Sequence, residues 1–270
     1  MMLILGTATH AGLKRKDHPN QDFFGSCLPG TINLRPPLLV VADGMGGYNG
    51  GEIASQLVVK TITEQYLHYI YPKEVNYAYI IKDAILKAHK AVLNYAVQHE
   101  ALAQMGSTVV VVLVDKNQLY LGNVGDSRAY LINHTEIRHI NHDHSFVADL
   151  VRSGVITLEE SLKHPKRNVL SMSISAQRPV IDPFITQMPV NPGEDYILLC
   201  SDGLWGVVPE AEIQNVVLTM APQAAAERLV DLANQNQGPD NITVMVAKVE
   251  KDKPGLADWF LSPFKGTPGK

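Results

Sequence analysis

Cysteine is scarce in this chain: there are two in 270 residues. Cys27 and Cys200 lie far apart and in no metal-binding or redox spacing. Both suit a reducing compartment and read as small core hydrophobes. No uninterrupted apolar run approaches the ~20 residues that a spanning helix needs. The N-terminus "MMLILGTATHAG" has a short apolar run and no basic n-region, so it does not read as a signal peptide, and the expected location is the cytoplasm. A strong excess of one charge is missing too. The formal charge of −4 gives no electrostatic reason to expect nucleic acid or an anionic membrane as a partner. No internal repeat or low-complexity linker divides the chain. What is present is an ordinary globular composition, 46% hydrophobic and 19% charged, long enough for one sizeable core or two modest ones.

The segments "PLLVVA", "GSTVVVVLV", "LYLGNV", "SRAYLI", "DYILLCS" and "NITVMVAKV" read as strands rich in β-branched residues. Several are apolar on both faces, so helices or a second sheet should cover them. Helical spacing appears around Ala54–Ile62, Ile81–Tyr95 and Ala225–Ala233. Regular β-α alternation is absent, which favours antiparallel α+β layers. Only 251–270 changes character: "KDKPGLADWFLSPFKGTPGK" reads as a tail that packs on the body or frays. Partner docking through "WFLSPF" is the lesser alternative.

The glycines of "VVADGMGGYNGGEIAS" (Val40–Ser55) raise the question of a phosphate cradle. A P-loop needs a lysine after the glycines, and Glu52 stands there; the dinucleotide fingerprint fails at Asn49. Asp-Gly alone is a turn signal. The recurrence of aspartates at strand boundaries is more informative. Asp43 and Asp202 follow strand-like runs, Asp22 and Asp240 precede them, and Asp126 sits in the turn "NVGDSRAY". In an antiparallel sheet, strand ends lie beside neighbouring strand starts, so these carboxylates would converge. Clustered carboxylates repel and take up protons unless a divalent cation relieves them. An all-oxygen donor set points to Mg²⁺ or Mn²⁺ rather than Zn²⁺. Gly44, lacking a side chain, would let its carbonyl approach a metal. The rival run "HINHDHS" (His139–Ser145) reads as surface histidines more readily than as a zinc site.

The ordered set "NQDFFG", "VVADGMGGYNGGEIAS", "MGSTVVVVLV", "LGNVGDSRAYLI", "DHSFVADLVRSGVIT", "LLCSDGLWGVVPEAEI" and "GPDNITVMV" resembles the metal-dependent protein phosphatases of the PPM (2C) type, particularly compact bacterial members. The resemblance runs from about Leu5 to Val249. It implies a four-layer α/β/β/α sandwich of two antiparallel sheets flanked by helices, with a phosphatase domain over 1–250 and a substrate-selecting flap over about 143–170. It further implies that Asp43 bridges two metals, with the Gly44 carbonyl on one and Asp202 and Asp240 on the other. Asp22 would engage the site directly or through water, and Asp126 with Asp202 would hold a third ion.

The implied reaction is hydrolysis of phosphoserine and phosphothreonine on proteins by metal-activated water. Asp43, Asp202 and Asp240 would be central to catalysis, opposite a serine/threonine kinase, in a monomer. A non-catalytic phosphatase-like scaffold and a small-phosphoester hydrolase are the alternatives. Three departures stand out. Arg15, the candidate for substrate phosphate, lies seven residues before Asp22 where relatives have five, and Lys14 and Lys16 compete with it. Met45 and Tyr48 replace histidines found in many relatives. "SMSISAQRPV" lacks the glycine usual after the flap.

Overall fold

Side chains alternate across a strand with a period of two, and the central strands of this chain are apolar on both faces. The computed structural model describes residues 2–29, 35–46, 50–70 and 74–251. The predicted tail beyond Lys251, and Tyr48, lie outside the described residues. The strands are β1 (Met2–His10), β2 (Asp22–Cys27), β3 (Leu38–Met45), β4 (Gly106–Ser107), β5 (Val109–Asp115), β6 (Gln118–Val124), β7 (Arg128–Ile132), β8 (Ile137–His139), β9 (Ile174–Ser175), β10 (Phe184–Pro189), β11 (Tyr196–Cys200) and β12 (Ile242–Glu250). The helices are α1 (Gly51–His68), α2 (Tyr77–Gln98), α3 (Phe146–Arg152), α4 (Leu158–Lys163), α5 (Asp202–Trp205), α6 (Glu210–Thr219) and α7 (Pro222–Gln235).

Two antiparallel sheets result. One runs β1-β12-β11-β7-β8; the other runs β10-β6-β5-β3-β4-β9, with β2 also paired to β3. Alternation sorts their side chains into three apolar layers. Leu39 and Val41 of β3, Val110 and Val112 of β5, and Met245 and Ala247 of β12 meet between the sheets. The intervening Val40, Val111 and Leu113 face outward onto α1 and α2, packing against Val58, Ile62, Ile81 and Ile85. On the other side, Val244, Val246 and Leu198 pack under α6 and α7 against Ile213, Val217 and Leu229. The α+β, four-layer expectation is borne out. Each fully buried Val or Leu contributes about 1.5–3 kcal/mol of transfer free energy, so both faces of each central strand stabilise the stack.

Differences from the sequence reading are local. The expected strand over 106–114 divides at Thr108, where the register with β3 is kept and the Thr108 amide still donates to the Asp43 carbonyl at 2.8 Å, but the Asp43 amide turns to Thr108 Oγ1 at 2.9 Å. β1, β8, β10 and α6 carry weak periodic signals and owe their existence to pairing or packing; β1 runs alongside β12 from Met2↔Glu250 to His10↔Ile242. Cys27 and Cys200 are buried and unpaired, as read. No helix among the described residues is long and apolar enough to cross a membrane.

Candidate active site

Antiparallel pairing places Asp22 directly opposite Asp43, across β2 and β3. Like charges in that register are destabilising. Asp202 begins α5 at the end of β11, and Asp240 stands just before β12, the antiparallel neighbour of β11. Asp126 occupies the turn that carries the chain from β6 in one sheet to β7 in the other. The carboxylates therefore meet at one end of the sandwich but come from both sheets, not from a single sheet edge. Asp43, Asp126, Asp202 and Asp240 line a cleft of ≈ 530 Å³ with Arg15 and Gly44. Asp22 lies beneath its wall, 5% exposed.

Burial, then mutual repulsion, pushes these carboxyls up. Asp43 is raised well above the usual range by desolvation and by Asp22, Asp202, Asp126 and Asp240. Its side chain stays half open to the cleft, although protein surrounds the rest. Asp126 is raised by burial, then Asp202 and Asp143. Desolvation takes Asp22 to about 7 and Asp202 to about 6, with Asp240 adding to the latter.

Hydroxyls and amides fix this arrangement. The Asp43 amide donates to Thr108 Oγ1 at 2.9 Å, and Thr108 Oγ1 lies 2.6 Å from Ser127 Oγ, beside Asp126. Ser201 Oγ donates to Asp22 Oδ2 at 2.7 Å. Asn241 accepts from the Gln21 amide at 2.9 Å and donates to the Ala11 carbonyl at 2.9 Å, joining the Asp240 turn to the Asp22 strand. Trp205 Nε1 donates to the Asp126 carbonyl at 3.0 Å, and the Arg128 guanidinium stacks 3.6 Å from the Trp205 ring centroid. Arg128 also forks onto Asp143, at 2.6 Å from Nη2. Sequence reading singled out none of Thr108, Ser127, Ser201, Asn241, Trp205 and Arg128. Apart from Thr108, which lies in the "MGSTVVVVLV" segment, their one signal is adjacency to the aspartate motifs.

The glycine question resolves into packing. A Cβ on Gly44 would lie 2.0 Å from the Gly51 carbonyl oxygen and 2.6 Å from that of Gln21. Bare backbone at Gly44 thus lets the first residue of α1 close directly over β3. Of the three competing cations, Arg15 lines the cleft. It pairs with Asp240 and donates to Gln21 Oε1 at 2.8 Å, whereas Lys14 reaches out to Gln237. The run "HINHDHS" is the surface turn expected only at His142, which is exposed; His139 and His144 are half-buried. His139 is half-buried and 3.1 Å from Asn141 Oδ1, the His142 ring packs on Phe184, and His144 Nδ1 accepts from the Gly125 amide at 3.2 Å. The three rings therefore point to different partners.

Among the described residues no three His, Cys, Asp or Glu side chains form a ready cage, and Arg15 already pairs with Asp240. The donors nonetheless fit a hard divalent cation. Every candidate ligand atom is oxygen, and Asp22 Oδ1 and Asp202 Oδ1 are buried without any hydrogen-bond partner.

Comparison with known proteins agrees with this layout. The protein phosphatase 2C family profile matches residues 11–236. The chain is 33% identical over 217 residues to the serine/threonine phosphatase stp of Listeria welshimeri, covering 78% of this chain and 84% of the relative. The crystal structure of serine/threonine phosphatase Stp1 from Staphylococcus aureus superposes with a TM-score of 0.85 at 32% identity, covering 93% of this chain and 96% of that one. The catalytic domain of the phosphatase PstP, solved in complex with 2 manganese ions, matches with a TM-score of 0.80 at 31% identity, over 93% of this chain and 99% of that one. Sandwich, acidic mouth and matching sequence lead to one conclusion: the chain belongs to the protein phosphatase 2C family of serine/threonine protein phosphatases.

Proposed function

We propose that this cleft hydrolyses phosphoserine and phosphothreonine on proteins, with Asp22, Asp43, Asp126, Asp202, Asp240 and the Gly44 carbonyl holding two or three Mn²⁺ or Mg²⁺ ions. The observation that carries the assignment is the convergence of carboxyls with raised pKa values, two of them with unpartnered buried oxygens. When bound, the ions would make a nucleophilic water available near neutral pH and offset charge on the phosphoryl oxygens.

The protein's own groups do the rest. The carboxyls release their protons as they become ligands, so affinity rises with pH. Arg15 rests against Asp240 and Gln21; with Asp240 serving as a cation ligand, the planar fork of Arg15 would be available to the phosphoryl oxygens. Thr108 and Ser127 keep the Asp43 and Asp126 backbones in register. Neither cysteine is a nucleophile in this reading, because burial pushes both thiols up and away from thiolate. Residues 1–250 form the catalytic domain, and the segment 143–170 acts as its flap; Asn168 and Leu170 already stand on the cleft wall. The protein works as a monomer in the cytoplasm, opposing a serine/threonine kinase. The two free thiols suit that reducing compartment.

The test is manganese-dependent hydrolysis of p-nitrophenyl phosphate and of a phosphoserine peptide, with calorimetric Mn²⁺ titration alongside. Both activities should fall to background in Asp43→Ala and Asp202→Ala. Undiminished activity in both variants refutes the assignment, and faster turnover of nucleotides than of phosphopeptides would favour a small-phosphoester hydrolase.

A further inference from the structure

The cleft is electrically lopsided. Its acidic end carries Asp43, Asp126, Asp202 and Asp240, while the far wall is built from uncharged Asn168, Ser173, Ser175 and Gln177 with one arginine, Arg178. Arg178 leaves β9 in a tight turn, its amide donating to the Ser175 carbonyl at 3.1 Å and the Gln177 amide to Ser175 Oγ at 3.2 Å. A short ladder fixes that turn relative to the acidic end: Met45 faces Gly106, and Gly106 faces Ser175. Two strand spacings of ~4.8 Å set Ser175 about 10 Å from Met45.

Arg178 is exposed and takes part in no ion pair among the described residues. Arg15, by contrast, is already engaged by Asp240. A guanidinium left open beside several carboxylates is held apart from them by the scaffold, facing the space a substrate would enter.

We propose that Arg178 forms a second anion subsite, which recognises an acidic group flanking the scissile phosphoresidue. This rests on reading the cleft as a phosphoprotein hydrolase. The ladder sets Ser175, the base of the Arg178 turn, about 10 Å from Met45, and an extended peptide advances ~3.3 Å per residue, so that base lies about three residues along a bound peptide. The subsite therefore reads a carboxylate or second phosphate about two to four residues from the phosphoserine. The arginine fork accepts either anion in bidentate fashion, so the chemistry is shared and the source is settled by experiment.

The experiment uses phosphoserine peptides with alanine, glutamate, lysine or a second phosphoserine placed two to four residues to either side. Products are read by mass spectrometry, for wild type, Arg178→Ala and Arg178→Glu. Each enzyme is its own reference, through the ratio of kcat/KM on the acidic peptide to that on the alanine peptide. Wild type should prefer acidic peptides about fivefold, the upper range for a solvent-exposed ion pair. The ratio should fall to one in Arg178→Ala and invert in favour of lysine in Arg178→Glu, a reversal that a merely structural role would not produce. Preference for glutamate and phosphoserine alike supports a general anion site, and preference for phosphoserine alone narrows it to phosphate. A wild type that hydrolyses p-nitrophenyl phosphate but ignores flanking charge overturns the subsite alone, as does a preference that survives Arg178→Ala. A chain that hydrolyses neither peptide nor p-nitrophenyl phosphate overturns the underlying reading, and the subsite with it.

Discussion

Replacing Asp22 by asparagine should stabilise the metal-free protein at pH 8 and not at pH 5. The Asp22 carboxyl is 5% exposed and is pushed from 3.8 to about 7, chiefly by burial, with Asp202 and Asp240 adding to the rise and the Ser201 and Thr243 hydroxyls opposing it. The folded chain thus holds this proton at pH values where the unfolded chain has released it. Stability from this group is complete below about pH 4 and is lost as pH rises through about 7. At ~1.4 kcal/mol per pH unit, ionising it in the fold costs about 4 kcal/mol at pH 8. Asparagine has the shape of the neutral acid and removes that cost, but it weakens the Ser201 hydrogen bond by about 1 kcal/mol. The net gain at pH 8 is about 2–4 kcal/mol, or a Tm rise of roughly 5–10 °C for a chain of this length. Thermal unfolding in EDTA from pH 5 to 8 reads the difference between variant and wild type. Adding Mn²⁺ at pH 8 should then raise the wild-type Tm far more than that of the variant. If Asp22→Asn lowers Tm equally at both pH values, the carboxyl is not a strained anion and the argument fails.

The backbone and the turn that hold the site can be tested separately. Gly44→Ala drives a Cβ into the Gly51 and Gln21 carbonyls and should cost about 3 kcal/mol or more in urea unfolding. Gly154→Ala, with φ +72 and nothing within 4 Å, should cost only about 1 kcal/mol; equal costs would show that close packing at Gly44 is not decisive. Trp205→Phe keeps a ring under Arg128 but loses the bond to the Asp126 carbonyl. It should raise the calorimetric Mn²⁺ dissociation constant about threefold to tenfold, and an unchanged titration would show that other bonds suffice to hold the Asp126 turn.

The sandwich was legible wherever apolar runs were unbroken. Leu38–Ala42 of β3, Val109–Val114 of β5 and Ile197–Cys200 of β11 are apolar on both faces because both faces are covered, and that requirement can be read from a single strand. The position of each aspartate at a strand boundary was legible for the same reason. Which strands pair was not. The opposition of Asp22 to Asp43 depends on register, and the descent of Asp22 below the cleft wall depends on how the two sheets stack. Gly44 illustrates the limit well. Its lack of a side chain suggests close backbone approach, but no local pattern identifies the approaching backbone as Gly51, seven residues on. The histidine run was only partly legible: His142 stays exposed as a surface residue, while Phe184, which its ring meets, and Gly125, which donates to His144, reach the run only through the fold.

Arg15 and Arg178 show how much a few irregular residues decide. By residue count Arg15 stands two positions too far from Asp22. A single 3-10 turn, Leu13–Arg15, absorbs the excess: it follows Gly12 at φ 80, a conformation glycine adopts without strain. The Lys14 amide then bonds to the Gly238 carbonyl and the His18 amide to the Arg15 carbonyl, which leaves the guanidinium facing Asp240. Spacing along the chain is a poor guide wherever a turn can be tightened at so little cost. Arg178 is the converse case. Its position follows from β4 and β9, strands of two residues each, too short for any periodicity to register. Yet those two strands set Ser175 relative to Met45, and the turn bonded to Ser175 carries the arginine from there. A residue whose role is set by such a ladder becomes visible only once the strands are in place, and substrate selection in this fold should depend more on those short strands than on the long ones that build the core.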